Sequence, residues 1–234
     1  FDELNKELKA LTAKVYSDYQ NLKQFTEDIS HEIQTPLAVM QAKIDTLVNA
    51  TPINQEQYQQ FTSLENDIRK LKNLNKRLIL LAKIDNNQFV NDQIISLKQI
   101  FEEAIENMTE LSSATFKLKS NADPLLRIDP TLAVVLCNNL LSNAIKHNYK
   151  DNEILVEIEV DNVQVLNQGK APINHPEHIF NRFYRESRNK DSSGLGLSIV
   201  KKVCEQYGYL PSYMFKAPET KASIFGYHCF KIQF

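Results

Sequence analysis

A histidine followed directly by a glutamate, His31 and Glu32, lies within a long helical pattern and could act as a nucleophile with its base. At about 100° per residue, His31 points directly away from the apolar positions, and Thr35 lies on its side at about 40°. An imidazole in water is a nucleophile when one ring nitrogen is deprotonated, and a carboxylate can hold the other N–H. These residues alone leave open the alternative that His31 is merely a solvated helix residue.

Pro36 follows Thr35 inside the same helical pattern. A proline here removes the backbone hydrogen bond to the carbonyl of Glu32 and bends the helix, at a cost of about 3 kcal/mol. A proline so close to an exposed His-Glu pair favours a functional explanation for that pair.

A second polar set shares one flank of the helix that Pro130 is expected to begin, with apolar residues on the other side. Its members are Asn139, Asn143, Lys146 and His147. Amide oxygens suit a hard cation such as Mg²⁺, and a lysine and an imidazole one turn later can meet phosphate charge. A polar helix that simply faces solvent is the alternative.

A glycine-containing run, Gly194-Leu195-Gly196-Leu197, precedes another helical pattern. Glycines permit close backbone approach, and the helix behind them offers its N–H groups and positive dipole end to phosphate. By itself, the run could equally be an ordinary helix start.

These segments resemble, in the same order, the motifs of bacterial two-component sensor histidine kinases. Ser30–Leu37 resembles the phospho-acceptor box, Asn138–Asn148 the asparagine box, Ile179–Arg185 the phenylalanine box and Ser193–Val200 the second glycine box. The resemblance extends from the helical region to about residue 210.

The resemblance implies roles for three residues of the first box. His31 would accept the γ-phosphoryl group of ATP, and Glu32 would be its acid/base partner. Thr35 would position water when the response regulator is dephosphorylated. Gln34 is a mild departure, because the family usually has lysine, arginine or asparagine there.

The resemblance also implies a site for ATP and Mg²⁺ in the second half of the chain. Asn143 would ligate Mg²⁺, whereas Lys146, His147 and Arg185 would approach phosphate. The apolar residues of the phenylalanine box would anchor one end of a mobile lid. After the box, Arg188, Lys190 and Asp191 form a charged stretch that we expect to have no regular structure. The other implied nucleotide-binding residues are Asn139, Asn167, Gly169, Gly194, Leu195, Gly196 and Leu197.

The first glycine box departs most from the family, which usually has an aspartate that reads the adenine amino group and two glycines two residues apart. Here Asn167 replaces the aspartate and Ala171 the second glycine, while Ser192 stands at a usual glycine of the second box. Asn167 can still accept from the amino group, but charge-assisted bonds are roughly twice as strong as neutral ones. We therefore predict weaker or less selective ATP binding, and tighter binding in Asn167→Asp.

The first 85 residues contain no glycine, and their apolar residues recur at helical spacing. A break at 49–54, where Pro52 ends one helix and Thr51 or Asn54 caps the next, predicts an antiparallel helical hairpin. One hairpin cannot bury both apolar stripes, so we expect a homodimer that forms a four-helix bundle.

The helical pattern stops near Asn86, which places the domain boundary at about 86–92. We expect a dimerisation and phospho-acceptor hairpin at 1–88 and a catalytic ATP-binding domain at 89–234. The second domain mixes both periodicities and predicts a two-layer α/β sandwich, of the histidine kinase and Hsp90-like type by resemblance. The predicted strands are Ile94–Leu97, Thr115–Lys119, Ile154–Val160, Val163–Leu166 and Phe225–Phe234, and the predicted helices are Lys98–Ser112, Pro130–His147 and Gly194–Tyr207.

Composition limits the partners. The net charge of -2 gives no global field to attract nucleic acid or an acidic membrane surface. Cys137, Cys204 and Cys229 lack metal-ligand spacing and sit among apolar residues, so we expect buried thiols in a reducing compartment. No apolar run approaches the roughly 20 residues that span a bilayer. Any contact with a membrane is expected only through segments outside this sequence.

The resemblance implies a kinase that phosphorylates His31, in the same or the partner chain, and passes the phosphoryl group to an aspartate of a response-regulator receiver domain. It also implies a cytoplasmic fragment of a bacterial inner-membrane protein. The altered adenine site suggests an alternative, a non-catalytic dimeric scaffold or a phosphatase-only protein. A third hypothesis is another ATPase with the same nucleotide fold, such as a chaperone-like or topoisomerase-like module; the His-Glu-x-x-Thr-Pro hairpin argues against it.

Overall fold

The computed structural model describes residues 2–50, 54–112, 114–149, 153–186, 193–217 and 225–234. Within the helices, it describes only the backbone at 2–4, 6, 10, 13, 15–31, 50 and 111. The chain forms two compact units, Phe1–Gln88 and Phe89–Phe234. No helix among the described residues is long and apolar enough to cross a membrane.

The first unit consists of two long helices, α1 (Asp2–Ala50) and α2 (Gln55–Asp85). Helix α1 continues through Pro36. Asn54 caps α2 reciprocally with Gln57: the Asn54 side chain accepts from the Gln57 backbone N–H at 2.9 Å, and the Gln57 side chain accepts from the Asn54 N–H at 3.0 Å. Thr51 and Pro52, which were predicted to contribute to the break, lie outside the described residues.

The hairpin buries only part of its apolar surface. Leu37, Ile44 and Ile68 form its core, against which Val48 and Phe61 pack. Other apolar residues recur every seven positions at the surface and are 40–51% exposed. They are Ile33, Met40 and Leu47 on α1 and Leu64, Leu71 and Leu78 on α2.

Two apolar stripes therefore run along α1. Taking about 100° per residue from His31, Leu37 and Ile44 lie at about 220–240° and face α2, whereas Met40 and Leu47 lie at about 160–180°. A seven-residue repeat of exposed apolar residues is typical of a helical surface that packs against further helices.

The second unit contains a five-stranded sheet in the order β2-β4-β5-β7-β6 and a two-stranded ribbon of β1 and β3. Strands β2 and β4 are parallel, and every other pair in the two sheets is antiparallel. The strands are β1 (Gln93–Ser96), β2 (Phe116–Ser120), β3 (Leu125–Ile128), β4 (Ile154–Ile158), β5 (Asn162–Gly169), β6 (Leu210–Lys216) and β7 (Gly226–Gln233), and the helices are α3 (Leu97–Leu111), α4 (Pro130–His147) and α5 (Gly196–Tyr207), with a short 3-10 helix at Pro176–His178.

The three helices of the second unit form the other layer. Helix α4 lies between α3 and α5 and also packs on β5. It begins as predicted, because Asp129 accepts from the Thr131 N–H at 2.8 Å and Pro130 occupies the first turn. Its buried face includes Leu132, Leu136 and Leu140. The predicted fold class, a helical hairpin followed by a two-layer α/β sandwich, is confirmed.

Two strands were not predicted individually, and one helix begins later than expected. Strand β6 contains Pro211 and lies at the sheet edge, where a missing N–H is tolerated. Strand β3 has only four residues, too few for its alternation to stand out. Helix α5 begins at Gly196 rather than Gly194, because Gly194 has a φ of +67°, outside the helical region. The three cysteines are free and buried, as expected.

Candidate functional site

The predicted phospho-acceptor segment lies in the middle of α1. Glu32, Thr35 and Pro36 are exposed, whereas Leu37 belongs to the hairpin core. The His31 side chain lies outside the described part of the chain, so its outward orientation stays a prediction. The exposed Glu32 and Thr35 are compatible with that orientation.

The asparagine flank of α4 approaches the start of α5. Asn139 is half-buried and its Nδ2 donates to the Val135 carbonyl at 2.8 Å. Its Oδ1 lies 3.2 Å from the position that a Cβ on Gly196 would take. Asn143 is half-buried one turn further along α4, and Lys146 is exposed at its end. The structure therefore brings the asparagine box and the second glycine box together.

The arrangement fits a magnesium ion that a nucleotide helps to hold. The Asn143 amide oxygen is a suitable ligand for a hard cation. The described residues include no group of three or more His, Cys, Asp or Glu side chains that could hold a metal ion. Mg²⁺ commonly takes one or two protein oxygens and completes its shell with substrate phosphates and water.

The phenylalanine box contacts the second glycine box directly. The Phe183 N–H donates to the Gly194 carbonyl at 2.9 Å. A Cβ on Gly194 would lie 2.7 Å from the Phe183 carbonyl carbon and 2.9 Å from the Tyr184 carbonyl oxygen. Leu195, immediately before α5, is fully buried, whereas Leu197 is half-buried and Arg185 is exposed. Gly194 therefore allows the two motifs to approach each other.

Glu186 fixes the end of the phenylalanine box. It accepts from the Tyr184 hydroxyl at 2.6 Å, from the Asn174 backbone N–H at 2.9 Å and from the Asn174 side chain. The bond to Glu186 raises the pKa of Tyr184 to about 12, and the bond from Tyr184 lowers the pKa of Glu186. The charged residues Arg188, Lys190 and Asp191, and Ser192 after them, lie outside the described residues.

Asn167 supplies an unsatisfied hydrogen-bond acceptor. Its side chain is fully buried on β5, and its Nδ2 donates to the His147 carbonyl at 3.0 Å. Its Oδ1 is buried without a partner. A buried polar atom in that state costs about 1–3 kcal/mol. Because Nδ2 is bonded to the His147 carbonyl, Oδ1 is the atom of the amide that remains without a partner. An amide oxygen suits a donor such as the adenine amino group.

Further bonds fix the end of α4 to β5 beside Asn167. The Gln168 N–H donates to Asn148 Oδ1 at 3.0 Å, and the Tyr149 N–H donates to the Gln168 carbonyl at 3.1 Å. His147 is exposed, but surrounding protein atoms and then the charge of Lys146 lower its pKa. A neutral imidazole near phosphate contributes donor ability rather than charge.

His228 on β7 also lies at this site and was missed by the sequence analysis. Its ring occupies the space where a Cβ on Gly169 would lie, and its Nδ1 is 2.8 Å from the Tyr213 hydroxyl. That hydroxyl accepts from the Ile173 N–H at 3.2 Å. Burial and then the nearby His147 lower the pKa of His228. No local motif marks His228, because strand pairing brings it here across the sheet.

Two family models match the chain. Residues 21–87 match the His Kinase A (phospho-acceptor) domain, and residues 128–223 match the histidine kinase-, DNA gyrase B- and HSP90-like ATPase. The matched segments are those that form the helical hairpin and most of the α/β unit.

Curated relatives match the chain across both regions. Sensor histidine kinase HprS of Escherichia coli is 27% identical over 90% of this chain and 48% of its own length. Sensor histidine kinase WalK of Bacillus subtilis is 25% identical over 81% of this chain and 34% of its own length. Among solved structures, full-length ShkA in complex with AMPPNP shares the fold with a TM-score of 0.64, at 18% identity over 89% of this chain and 45% of that chain.

The chain therefore belongs to the two-component sensor histidine kinases and contains their phospho-acceptor and ATPase regions. It spans about half the length of the first relatives that it matches. The match to a phospho-acceptor domain excludes the third hypothesis, another ATPase with the same nucleotide fold such as a chaperone-like or topoisomerase-like module.

The environment of Asn167 changes one prediction made from the sequence. Asn167→Asp would replace the Nδ2 donor with an oxygen that faces the His147 carbonyl, at a fully buried position. The introduced carboxyl should be held protonated, with a raised pKa, because burial and the carbonyl both disfavour its charge. We now expect weaker ATP binding rather than tighter binding, measured by calorimetry. We also expect a loss of stability of about 1–3 kcal/mol at pH 8.

The pH dependence gives a specific check on that variant. A carboxyl with a raised folded-state pKa destabilises the fold increasingly as pH rises above its unfolded value of about 3.9. Urea unfolding should therefore show a larger deficit at pH 8 than at pH 5. Asn148→Asp is the matched control, since its remaining oxygen still accepts from the Gln168 N–H. Equal behaviour of the two variants would contradict this account of Asn167.

Proposed function

We propose that this chain uses ATP to phosphorylate His31 and that the phosphoryl group then passes to an aspartate of a response-regulator receiver domain. The observation that carries the proposal is the buried, unpartnered Oδ1 of Asn167. This atom supports the proposal, because an amide in place of the usual aspartate still offers an acceptor for the adenine amino group, which argues against a degenerate nucleotide site.

The chemistry follows from the residues of the two units. A ring nitrogen of His31 attacks the γ-phosphorus, the bond to the β–γ bridging oxygen breaks, and ADP leaves. Glu32 holds the other ring N–H and stabilises the positive charge that develops on the imidazole. Lys146, His147 and Arg185 orient the phosphates and provide donors. Mg²⁺, when held by Asn143 and the nucleotide, neutralises charge on the phosphates.

The proposal is tested by incubating the chain with γ-labelled ATP and magnesium. We expect label on the protein that is acid-labile and base-stable, as a phosphoramidate is. A folded chain that binds ATP but takes up no label would support the alternative, a scaffold or phosphatase-only protein.

We further propose that the chain is a homodimer. The exposed seven-residue repeats on α1 and α2 would then be buried in a four-helix bundle of two hairpins. Burial of these six large side chains of each hairpin would contribute far more to the stability of the dimer than exposed salt bridges, which contribute little. Sedimentation should show a dimer at micromolar concentration, and a monomer would reject this arrangement.

The location of the protein in the cell is also a proposal. The relatives are sensor proteins of about twice the matched length. We propose that this region is the cytoplasmic part of a bacterial inner-membrane sensor. Fractionation of the natural protein should place it in the inner membrane, and recovery in the soluble fraction would refute this.

A further inference from the structure

His228 lies directly opposite Asn167. The two residues are register partners in the antiparallel pair β5–β7. Side chains of directly opposed residues project from the same face of a sheet, with Cβ atoms about 4.5–5.5 Å apart. The contact of the His228 ring with Gly169, two residues after Asn167 on that face, places the ring independently. The register therefore places His228 next to Asn167 on one face of the sheet.

The hydrogen bonds of Tyr213 favour one tautomer of His228. The Tyr213 oxygen already accepts from the Ile173 N–H. Donation of its hydroxyl proton to His228 Nδ1, at 2.8 Å, satisfies both groups. A neutral histidine that accepts at Nδ1 carries its proton on Nε2. The Nε2–H donor of His228 and the acceptor of Asn167 thus belong to neighbouring residues on the same face of the sheet.

The donor of His228 and the acceptor of Asn167 complement the amino and N1 edge of adenine, but not the corresponding edge of guanine. Adenine presents an amino donor next to the N1 acceptor, whereas guanine presents an oxygen acceptor next to an N1–H donor. We propose that His228 is a second base-reading residue, which donates its Nε2–H to N1 of adenine while Asn167 accepts from the amino group. The inference rests on the proposed function, since it assigns a further contact to the same ATP site.

The assignment also explains Gly169. A side chain at this position would displace the His228 ring, whatever the path of the nucleotide. The glycine of this box is therefore needed to admit a base-reading residue from the neighbouring strand. Tyr213 is a positioning residue, because it acts only through the tautomer and orientation of His228.

The test uses calorimetry of the whole chain with magnesium and two nucleotides, ATP and 1-deaza-ATP, in which N1 is replaced by C–H. The wild type should bind 1-deaza-ATP about tenfold more weakly, the size expected for one hydrogen bond. His228→Leu should bind ATP about tenfold more weakly and no longer distinguish the two nucleotides. His228→Gln, which can donate from its amide, should recover part of the discrimination.

Equal binding of ATP and 1-deaza-ATP by the wild type would overturn the inference and leave the proposed ATP site intact. Discrimination that persists in His228→Leu would assign N1 to another group and would also overturn it. Failure of the wild type to bind ATP would overturn the proposed function together with this inference. Since the wild-type comparison requires no substitution, misfolding of His228→Leu would not prevent a decision.

Discussion

His31→Gln is expected to reduce labelling by γ-labelled ATP to below about 1% of the wild-type level, because glutamine has no ring nitrogen to form the phosphoramidate. ATP binding should be unchanged, since Asn143, Asn167 and Gly194 lie in the other compact unit. Calorimetry with ATP in the same preparation is the necessary control. Residual acid-labile label at the wild-type level would place the acceptor on another histidine.

Substitutions of two neighbours of His31 are expected to affect different steps of the reaction. Glu32→Gln keeps the size and exposure of the side chain but removes its charge, so labelling should slow about 100-fold, within the range for a lost acid/base partner. Thr35→Ala should leave labelling intact and instead slow dephosphorylation of the response regulator. An effect of Thr35→Ala on labelling itself would contradict the role assigned to that hydroxyl.

Sequence patterns were sufficient to predict the helix ends that depend on residues close together in the chain. The start of α4 depends on Asp129 and Pro130, and the end of α5 on Gly208, which adopts a φ of +73°. The cap of α2 follows from Asn54 and Gln57 in the same way. In each of these cases the hydrogen bonds join residues a few positions apart, which a sequence pattern can represent.

The proposed adenine site could be predicted only in part, because its remaining contacts join residues that are distant in the sequence. Asn167 was identified from its motif, but its bond to His147 crosses from β5 to the end of α4. That bond reverses the expected effect of Asn167→Asp. His228 reaches the site through the β5–β7 register, and its proton position depends on Tyr213 of the edge strand. Spacing along the chain predicts neither the bond between Asn167 and His147 nor the bond between His228 and Tyr213.

Alanine substitutions at two glycines with nearly the same backbone conformation can distinguish the effect of a steric clash from the effect of backbone strain. Gly194 has a φ of +67° and Gly208 a φ of +73°, so alanine costs about 1–2 kcal/mol of left-handed strain at either position. A Cβ would meet the Phe183 and Tyr184 backbone at Gly194, but would meet nothing within 4 Å at Gly208. Any difference between the two variants therefore reports the contact between the phenylalanine and glycine boxes.

Gly194→Ala is accordingly expected to weaken ATP binding about 30- to 100-fold, equivalent to about 2–3 kcal/mol. The added methyl must push the Phe183 segment away, and the bond from its N–H to the Gly194 carbonyl should be lost. Gly208→Ala should lower the unfolding midpoint slightly and leave the dissociation constant for ATP unchanged. Calorimetry and urea unfolding on both variants give these quantities. If Gly194→Ala affected only stability, as Gly208→Ala should, the contact between the two motifs would have no part in binding the nucleotide.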